Sequence, residues 1–140
     1  MTQKLDKVLY TAHTRTSGGR EGTGSASDDA LHVKLSTPGS NKPGTNPEQL
    51  FGVGYSACFI GAMQLAGRKL GIKVPESTVI NAEVSLGKTS ADAYALAVTL
   101  NVDLPGLDSD QKQQLVDTAH QTCPYSAAIR GNVDVTLVIA

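Results

Sequence analysis

The longest apolar segment of the chain is NPEQLFGVGYSACFIGAMQLAGRKLG, residues 46–71. Its start has the residues typical of a helix N-terminus: Asn46 can cap the helix, Pro47 suits the first helical position, and Glu48 adds an acid in the first turn. Two basic residues precede Gly71, which is a typical left-handed helix stop. The segment therefore predicts one long helix.

Apolar residues occupy nearly every face of this predicted helix, and no charge occurs from Gln49 to Gly67. A helix that is apolar on all sides is expected to be buried against partners on more than one side. One small sheet cannot cover such a helix, so we expect two chains to pack their helices together. The sequence thus predicts an obligate, intertwined homodimer built around a long buried central helix.

The rest of the chain alternates between short strands and turns, with one further helix. The predicted strands cover residues 7–15, 30–36, 79–86, 93–102 and 133–139. A glycine-rich turn over residues 17–22 precedes a second turn over residues 25–29, so the first strands form an antiparallel meander. Asp108 begins a capping-box pattern before a helix over residues 111–122. Strands and helices occur in blocks, which indicates a single α+β domain, residues 1–140, with largely antiparallel sheets.

The overall composition argues against several classes of partner. The 12 basic and 13 acidic side chains leave a formal net charge of −1, which gives no attraction to nucleic acid or an anionic membrane. The segment MTQKLDKVLY, residues 1–10, has no apolar run resembling a signal peptide. Polar and basic residues and several glycines in the long helix argue against a membrane span. We therefore expect a cytoplasmic protein, where thiols are normally kept reduced.

The chain has two cysteines, and each is open to two interpretations. Cys58 lies in the middle of the long helix and could be an inert core residue. Cys123 lies at the end of the second helix, before a proline, where packing makes no obvious demand for it. Together they are either buried structural residues or a redox pair. The three histidines are scattered without ligand spacing, so no bound metal is expected.

A reactive Cys58 would need a cation beside it, because burial in an apolar helix disfavours the thiolate. Arg20, in the glycine turn, is the best candidate, and Glu48 could hold its guanidinium in a bidentate pair. On one straight helix, however, Glu48 and Cys58 lie ~15 Å apart. Either the helix breaks near residues 52–54, or Arg20 and Glu48 reach the sulfur of the other subunit.

Three motifs together resemble one known family. These are GGREG at residues 18–22, NPEQLFGVGYSACF at residues 46–59 and HQTCPYSAAIRGNVDV at residues 120–135. Their order and spacing are similar to those of the organic hydroperoxide resistance family, thiol peroxidases related to osmotically induced protein C. The similarity extends over essentially the whole chain.

This resemblance implies a fold, a chemistry and a set of roles. Cys58 would be the peroxidatic cysteine, which becomes a sulfenic acid, and Cys123 the resolving cysteine, which closes an intrasubunit disulfide with it. Arg20 and Glu48 would be the activating pair. Family members are intertwined α+β homodimers with active sites at the subunit interface. Their reductant is a dihydrolipoyl group, such as dihydrolipoamide or a lipoylated protein, and they bind no metal or flavin.

Six apolar residues near the two thiols in the sequence could favour alkyl or fatty-acid hydroperoxides by burying the alkyl tail. They are Phe51, Phe59, Ile60, Met63, Tyr125 and Ile129. The alternative is that they are ordinary core residues. For the whole protein, the alternatives are a sister enzyme with broader peroxide tolerance and a non-catalytic dimeric redox sensor that uses the same disulfide as a switch.

Overall fold

The structure, a computed structural model, describes residues 2–140. The chain divides into two compact units, one ending at Pro47 and the other comprising Glu48–Ala140. It contains helices and both antiparallel and parallel strand pairs, so the predicted α+β class is confirmed. The assignment of residues 1–140 to one domain stays a prediction.

The first unit contains a three-stranded antiparallel meander in the order β1-β2-β3. The strands are β1 (Thr14–Ser17), β2 (Thr23–Ala26) and β3 (His32–Lys34). A short 3-10 turn, Gly19–Glu21, connects β1 to β2 and carries Arg20. The predicted meander and the position of Arg20 at the hairpin bend are both confirmed.

The predicted strand over residues 7–15 is mostly wrong. Strand β1 begins only at Thr14, and residues 7–13 pair with no other strand within residues 2–140. Val8, Leu9 and Tyr10 are all more than half exposed. The alternating pattern of this segment fits a strand, but a strand also needs a neighbouring strand to bond its backbone. Within the described chain, a turn residue bonds the last residue of the segment, where the Ser27 N–H donates to the His13 carbonyl over 2.9 Å.

The long helix, α1, extends over Pro47–Leu70 without interruption, as predicted. The alternative of a break near residues 52–54 is therefore excluded. One face of α1 is buried, including Tyr55, Phe59 and Met63, whereas Val53 and Leu65 on other faces are 72% and 57% exposed. α1 is therefore not completely buried within one chain, and the burial of its exposed residues by a second copy stays a prediction. By length and composition α1 could also cross a membrane, but the core helices of soluble proteins can have the same length and composition.

The second unit packs α1 and a second helix on a three-stranded sheet. Strands β4 (Val79–Lys88) and β5 (Tyr94–Asp103) form the predicted antiparallel hairpin. Strand β6 (Asp134–Ile139) lies parallel to β5, so this sheet is mixed, and within it the antiparallel prediction holds for the β4–β5 pair only. The inward side chains of β5 belong to the same core as the buried face of α1.

The second helix, α2, covers Ser109–Thr122 and begins with the predicted capping box. The Gln111 backbone N–H donates to Asp108 Oδ1 over 2.8 Å, and the Asp108 N–H donates to Gln111 Oε1 over 3.2 Å. A short helix that the sequence did not predict, α3 (Pro124–Ile129), follows directly. Only Cys123 separates α2 from α3, so this residue lies at a sharp elbow.

Candidate active site

The two cysteines, distant in sequence, lie side by side in the second unit. Cys58 is on α1 and partly buried, whereas Cys123 at the α2–α3 elbow is fully buried. Both are free thiols, and the Cys123 thiol donates a hydrogen bond to Cys58 Sγ over 3.4 Å. A disulfide requires a sulfur–sulfur distance of about 2.05 Å, so a small movement would allow one to form. The geometry is that of a reduced dithiol close to oxidative closure.

Local sequence explains the position of Cys123. The residue before a proline is disfavoured in helical conformation, and Cys123 accordingly adopts an extended backbone with φ −64° and ψ 123°. Its N–H still donates to Ala119 O, closing α2, and its carbonyl accepts from the Ala127 N–H, opening α3. Pro124 occupies the first turn of α3, where its missing N–H costs nothing.

Burial raises the pKa of the Cys58 thiol above its ordinary value. The backbone N–H of Tyr125 opposes this effect and lowers the pKa of Cys58, but burial outweighs it. Ionisation of Cys58 near neutral pH therefore requires a further group, such as a cation, that stabilises the thiolate.

A buried chain of hydrogen bonds lies beside the two thiols, and the sequence analysis did not identify it. Tyr55 OH lies 2.7 Å from Ser126 Oγ, and His120 Nδ1 lies 3.0 Å from the same oxygen. Tyr55 and Ser126 are fully buried. The signal available in the sequence was spacing, since Tyr55 is one helical turn from Cys58, and His120 and Ser126 flank Cys123 by three residues each.

The protonation states of His120 and Tyr55 follow from their surroundings. Burial lowers the pKa of His120, and the nearby Arg130 cation lowers it further, so the imidazole is neutral at neutral pH. Burial also raises the pKa of Tyr55, which therefore keeps its proton. The Arg130 guanidinium donates to the backbone carbonyl of His120, which joins the end of α3 to the last turn of α2.

The six residues predicted to line a substrate pocket lie in two environments. Phe59 and Met63 are fully buried in the core, the environment expected under the alternative interpretation. Phe51, Ile60 and Ile129 are only partly buried, and Tyr125 is 40% exposed. A role for any of the six in binding substrate stays a prediction.

Aromatic rings of α1 and α3 pack against one another near Cys58. The Tyr125 ring stacks on Tyr55 with centroids 5.9 Å apart and meets Phe51 edge-on at 6.0 Å. Gly54 makes room for this arrangement, because a Cβ there would lie 2.9 Å from the Tyr125 hydroxyl. These contacts hold α3 against α1 close to Cys58.

Arg20 and Glu48, the predicted activating pair, lie in different units of the chain. Arg20 is in the turn Gly19–Glu21, and Glu48 is in the first turn of α1. The turn is tightly built: a Cβ on Gly22 would lie only 1.7 Å from Ser17 O. Because α1 is unbroken, the ten-residue separation places Glu48 ~15 Å along the helix from Cys58 of the same chain. The pairing of Arg20 with Glu48 and their action on Cys58 stay predictions.

No group of three or more metal-ligating side chains occurs in the part of the chain that the structure describes. The expectation that the protein binds no metal or other cofactor stays a prediction. The chemistry that the described residues themselves offer is thiol chemistry at Cys58 and Cys123.

Comparison with known proteins gives a consistent result. The family described as "OsmC-like protein" matches residues 38–138. The "Organic hydroperoxide resistance protein" of Xanthomonas axonopodis pv. citri (strain 306) is 50% identical over 139 residues, covering 96% of this chain and 97% of that protein. The "Organic hydroperoxide resistance protein OhrA" of Bacillus subtilis (strain 168) is 44% identical, with coverage of 97% and 99%.

Solved structures agree with the sequence comparison. The crystal structure of OhrB of Bacillus subtilis superposes with a TM-score of 0.88 at 40% identity, covering 95% of this chain and 100% of that one. A putative organic hydroperoxide resistance protein from Vibrio cholerae O1 biovar eltor, with captopril bound in one of its active sites, gives a TM-score of 0.89 at 37% identity. It covers 97% of this chain, and 95% of that chain is covered in return.

Proposed function

This chain belongs to the OsmC-like protein family, and from that membership we propose that it is a cysteine-based peroxidase that reduces organic hydroperoxides to alcohols. The observation that carries the proposal is the contact between the sulfurs of Cys58 and Cys123 at 3.4 Å. Two structural core cysteines need not be in contact, whereas the sulfurs of a peroxidatic and a resolving cysteine must come into contact to form a disulfide. The names of the relatives supply the substrate class, an organic hydroperoxide.

The reaction would proceed in two steps at the two sulfurs. The Cys58 thiolate attacks the terminal oxygen of the hydroperoxide, the O–O bond breaks, and the alkoxide leaves as the alcohol after taking a proton. Cys58 is thereby oxidised by two electrons to a sulfenic acid. Cys123 then attacks the Cys58 sulfur, and the hydroxyl leaves with the Cys123 proton as water. The resulting disulfide is reduced by thiol exchange with a dihydrolipoyl donor in the cytoplasm.

We place the activation of Cys58 at the interface of a homodimer. Burial disfavours the Cys58 thiolate, so a cation is needed. The continuity of α1 separates Glu48 from Cys58 of its own chain, which favours the remaining alternative. In that arrangement Glu48 of one chain holds Arg20, and the guanidinium stabilises the thiolate of the other chain. The exposed apolar side chains of α1, Val53 and Leu65, support burial against a second copy.

The preference for organic substrates would come from apolar side chains around Cys58. Phe51, Ile60, Tyr125 and Ile129 retain accessible surface and can contact an alkyl tail. Each methylene buried there contributes about 0.8 kcal/mol of binding, a gain that hydrogen peroxide cannot make. Phe59 and Met63 would support these residues from within the core.

The decisive experiment is steady-state consumption of cumene hydroperoxide with dihydrolipoamide, thioredoxin or glutathione as the electron donor. We expect turnover with dihydrolipoamide and none with Cys58→Ser. Turnover with thioredoxin alone would keep the peroxidase and refute the lipoyl donor. Equal rates with hydrogen peroxide would favour the sister enzyme with broader tolerance. Absence of turnover with every donor would instead support a redox sensor that switches through the same disulfide.

A further inference from the structure

We propose that His120 and Ser126 are positioning residues that lock the α2–α3 elbow and thereby hold Cys123 and the Tyr125 N–H against the Cys58 sulfur. The inference concerns the same two thiols and so rests on the proposed function. It assigns a role to a polar cluster that neither attacks the substrate nor forms the disulfide.

The elbow needs such a lock because α3 is a weak element by itself. It has six residues, and helices this short have little stability without tertiary contacts. Its N-cap residue, Cys123, makes no side-chain capping bond. Yet α3 carries the Tyr125 N–H, which favours the Cys58 thiolate, and its first residue follows Cys123 directly. A small rotation of α3 would therefore displace both groups from the Cys58 sulfur.

Ser126 supplies the central link of the lock. Its hydroxyl lies 2.7 Å from Tyr55 OH on α1 and 3.0 Å from His120 Nδ1 on α2. Tyr55 lies one helical turn before Cys58, and His120 and Ser126 lie three residues on either side of Cys123. The hydrogen bonds thus join the backbone segments that carry the two sulfurs, one turn away from each.

The hydrogen-bonding capacity of the three groups matches this arrangement. Tyr55 can donate to Ser126 Oγ, and the Ser126 hydroxyl can donate to Nδ1 of a neutral imidazole. His120 is held neutral by its burial and by the neighbouring Arg130 cation. Arg130 adds a second link across the elbow by donating to the His120 carbonyl. Loss of Ser126 would leave the buried Tyr55 hydroxyl without this partner, and α3 would be free to shift.

The proposal is tested with His120→Leu and Ser126→Ala, which remove the lock. His120→Asn is the conservative variant, since its amide can place a polar atom near the position of Nδ1. Gln121→Leu is the matched control, because Gln121 is the exposed neighbour of His120. Diamide, a two-electron thiol oxidant, converts the reduced chain to the disulfide without any hydroperoxide, and the closure rate is followed by quenching and mass spectrometry.

We expect His120→Leu and Ser126→Ala to slow disulfide closure by about tenfold, because misplacement of a reacting group by a fraction of an ångström has effects of this order. The Cys58 pKa, measured by peptide-resolved alkylation against pH, should rise by about one unit as the Tyr125 N–H moves away from the sulfur. His120→Asn should recover most of the closure rate, and Gln121→Leu should match the wild type. A purely structural role would lower the melting temperature without changing either readout.

Unchanged closure and an unchanged Cys58 pKa in folded His120→Leu and Ser126→Ala would overturn the proposal. If Ser126→Ala does not fold, Tyr55→Phe breaks the same hydrogen bond from the other side and decides the question. Failure of the proposed function gives a different pattern, because wild-type protein would then close its disulfide with diamide and still not consume cumene hydroperoxide. Active wild-type enzyme with unaffected lock variants would refute the positioning role alone.

Discussion

The Cys123 thiol donates a hydrogen bond to Cys58 Sγ over 3.4 Å, although 65 residues separate the two cysteines. One sulfur is carried by α1 and the other by the junction of α2 and α3, so the contact depends on the packing of three helices. Cys123 is fully buried, so its sulfur is shielded from solvent. The two sulfurs are therefore already in contact in the reduced protein.

Replacing Cys123 by serine should allow a single turnover and then stop the cycle. Cys58 can still reduce one hydroperoxide, but its sulfenic acid then has no resolving thiol and is open to further oxidation. Intact mass spectrometry after a stoichiometric dose of cumene hydroperoxide should show one added oxygen, and after excess oxidant two or three. Cys58→Ser is the control and should gain none of them. Full lipoyl-dependent cycling by Cys123→Ser would contradict the resolving role.

Replacing Arg20 by alanine should move the reactivity of Cys58 to higher pH. Burial already raises the pKa of this thiol, and loss of the proposed neighbouring cation should raise it further. Because only the thiolate attacks, the rate at a fixed pH below the pKa should fall about tenfold for each unit. The measurement is the pH profile of single-turnover peroxide reduction.

Arg15→Ala serves as the control for Arg20→Ala, since Arg15 is an exposed arginine in strand β1 of the same unit. Its pH profile should overlay that of the wild type. Urea unfolding should show that neither variant loses much stability, as expected for exposed residues. An Arg20→Ala profile identical to the wild type would remove Arg20 from the activating role.

The capping box of α2 offers a direct test of a local contribution to stability. Asp108→Ala removes the acceptor of the Gln111 N–H at 2.8 Å and should cost about 1 kcal/mol of unfolding free energy. Asp108→Asn keeps an oxygen at the same position and should cost only a few tenths. Urea denaturation followed by circular dichroism measures both. Equal losses in the two variants would mean that the carboxylate charge, and not the cap, is responsible.

Local signals in the sequence were enough to predict much of the fold. The bounds of α1, the β4–β5 hairpin and the capping box at Asp108 all follow from residues within a few positions of one another. The strand predicted over residues 7–15 shows the limit of such signals, because alternation cannot reveal whether a partner strand exists. α3 was missed for a related reason: Pro124 ends one helix and also begins the next.

The site could be predicted only in part. The motifs identified Cys58 and Cys123, but a separation of 65 residues carries no information about distance. The hydrogen bonds that join Ser126 with Tyr55 and with His120 depend on the packing of three helices, which no single segment encodes. The only clue in the sequence is that each of these residues lies three positions from a cysteine. This spacing becomes informative only when the packing of the helices is known.

A charge on the exposed face of α1 should test the predicted homodimer. Val53 is 72% exposed in the single chain, and the predicted homodimer would bury it against the second copy. Val53→Asp should therefore shift sedimentation from dimer to monomer. Gln114→Asp adds the same charge on an exposed position of α2 and should leave the assembly intact. A wild-type protein that sediments as a monomer would refute the dimer directly.

Phe51 is the residue best placed to test the origin of substrate preference. It lies seven residues before Cys58, close to two helical turns, and therefore on nearly the same face of α1. Its ring contacts Tyr55 and Tyr125 edge-on at 6.1 and 6.0 Å. Phe51 remains partly accessible, and we expect an alkyl tail that extends from the Cys58 sulfur along α1 to contact it.

Truncation of this ring should reduce activity in a substrate-dependent way. Phe51→Ala should lower kcat/KM for cumene hydroperoxide about tenfold, because ~1.4 kcal/mol of apolar contact with the transition state is lost. The rate with hydrogen peroxide, which has no tail, should change little. Phe51→Leu retains an apolar wall and should fall between the two. A parallel loss with both peroxides would instead show that the ring only supports Tyr125 and the Cys58 backbone, and the proposed substrate wall would have to lie elsewhere.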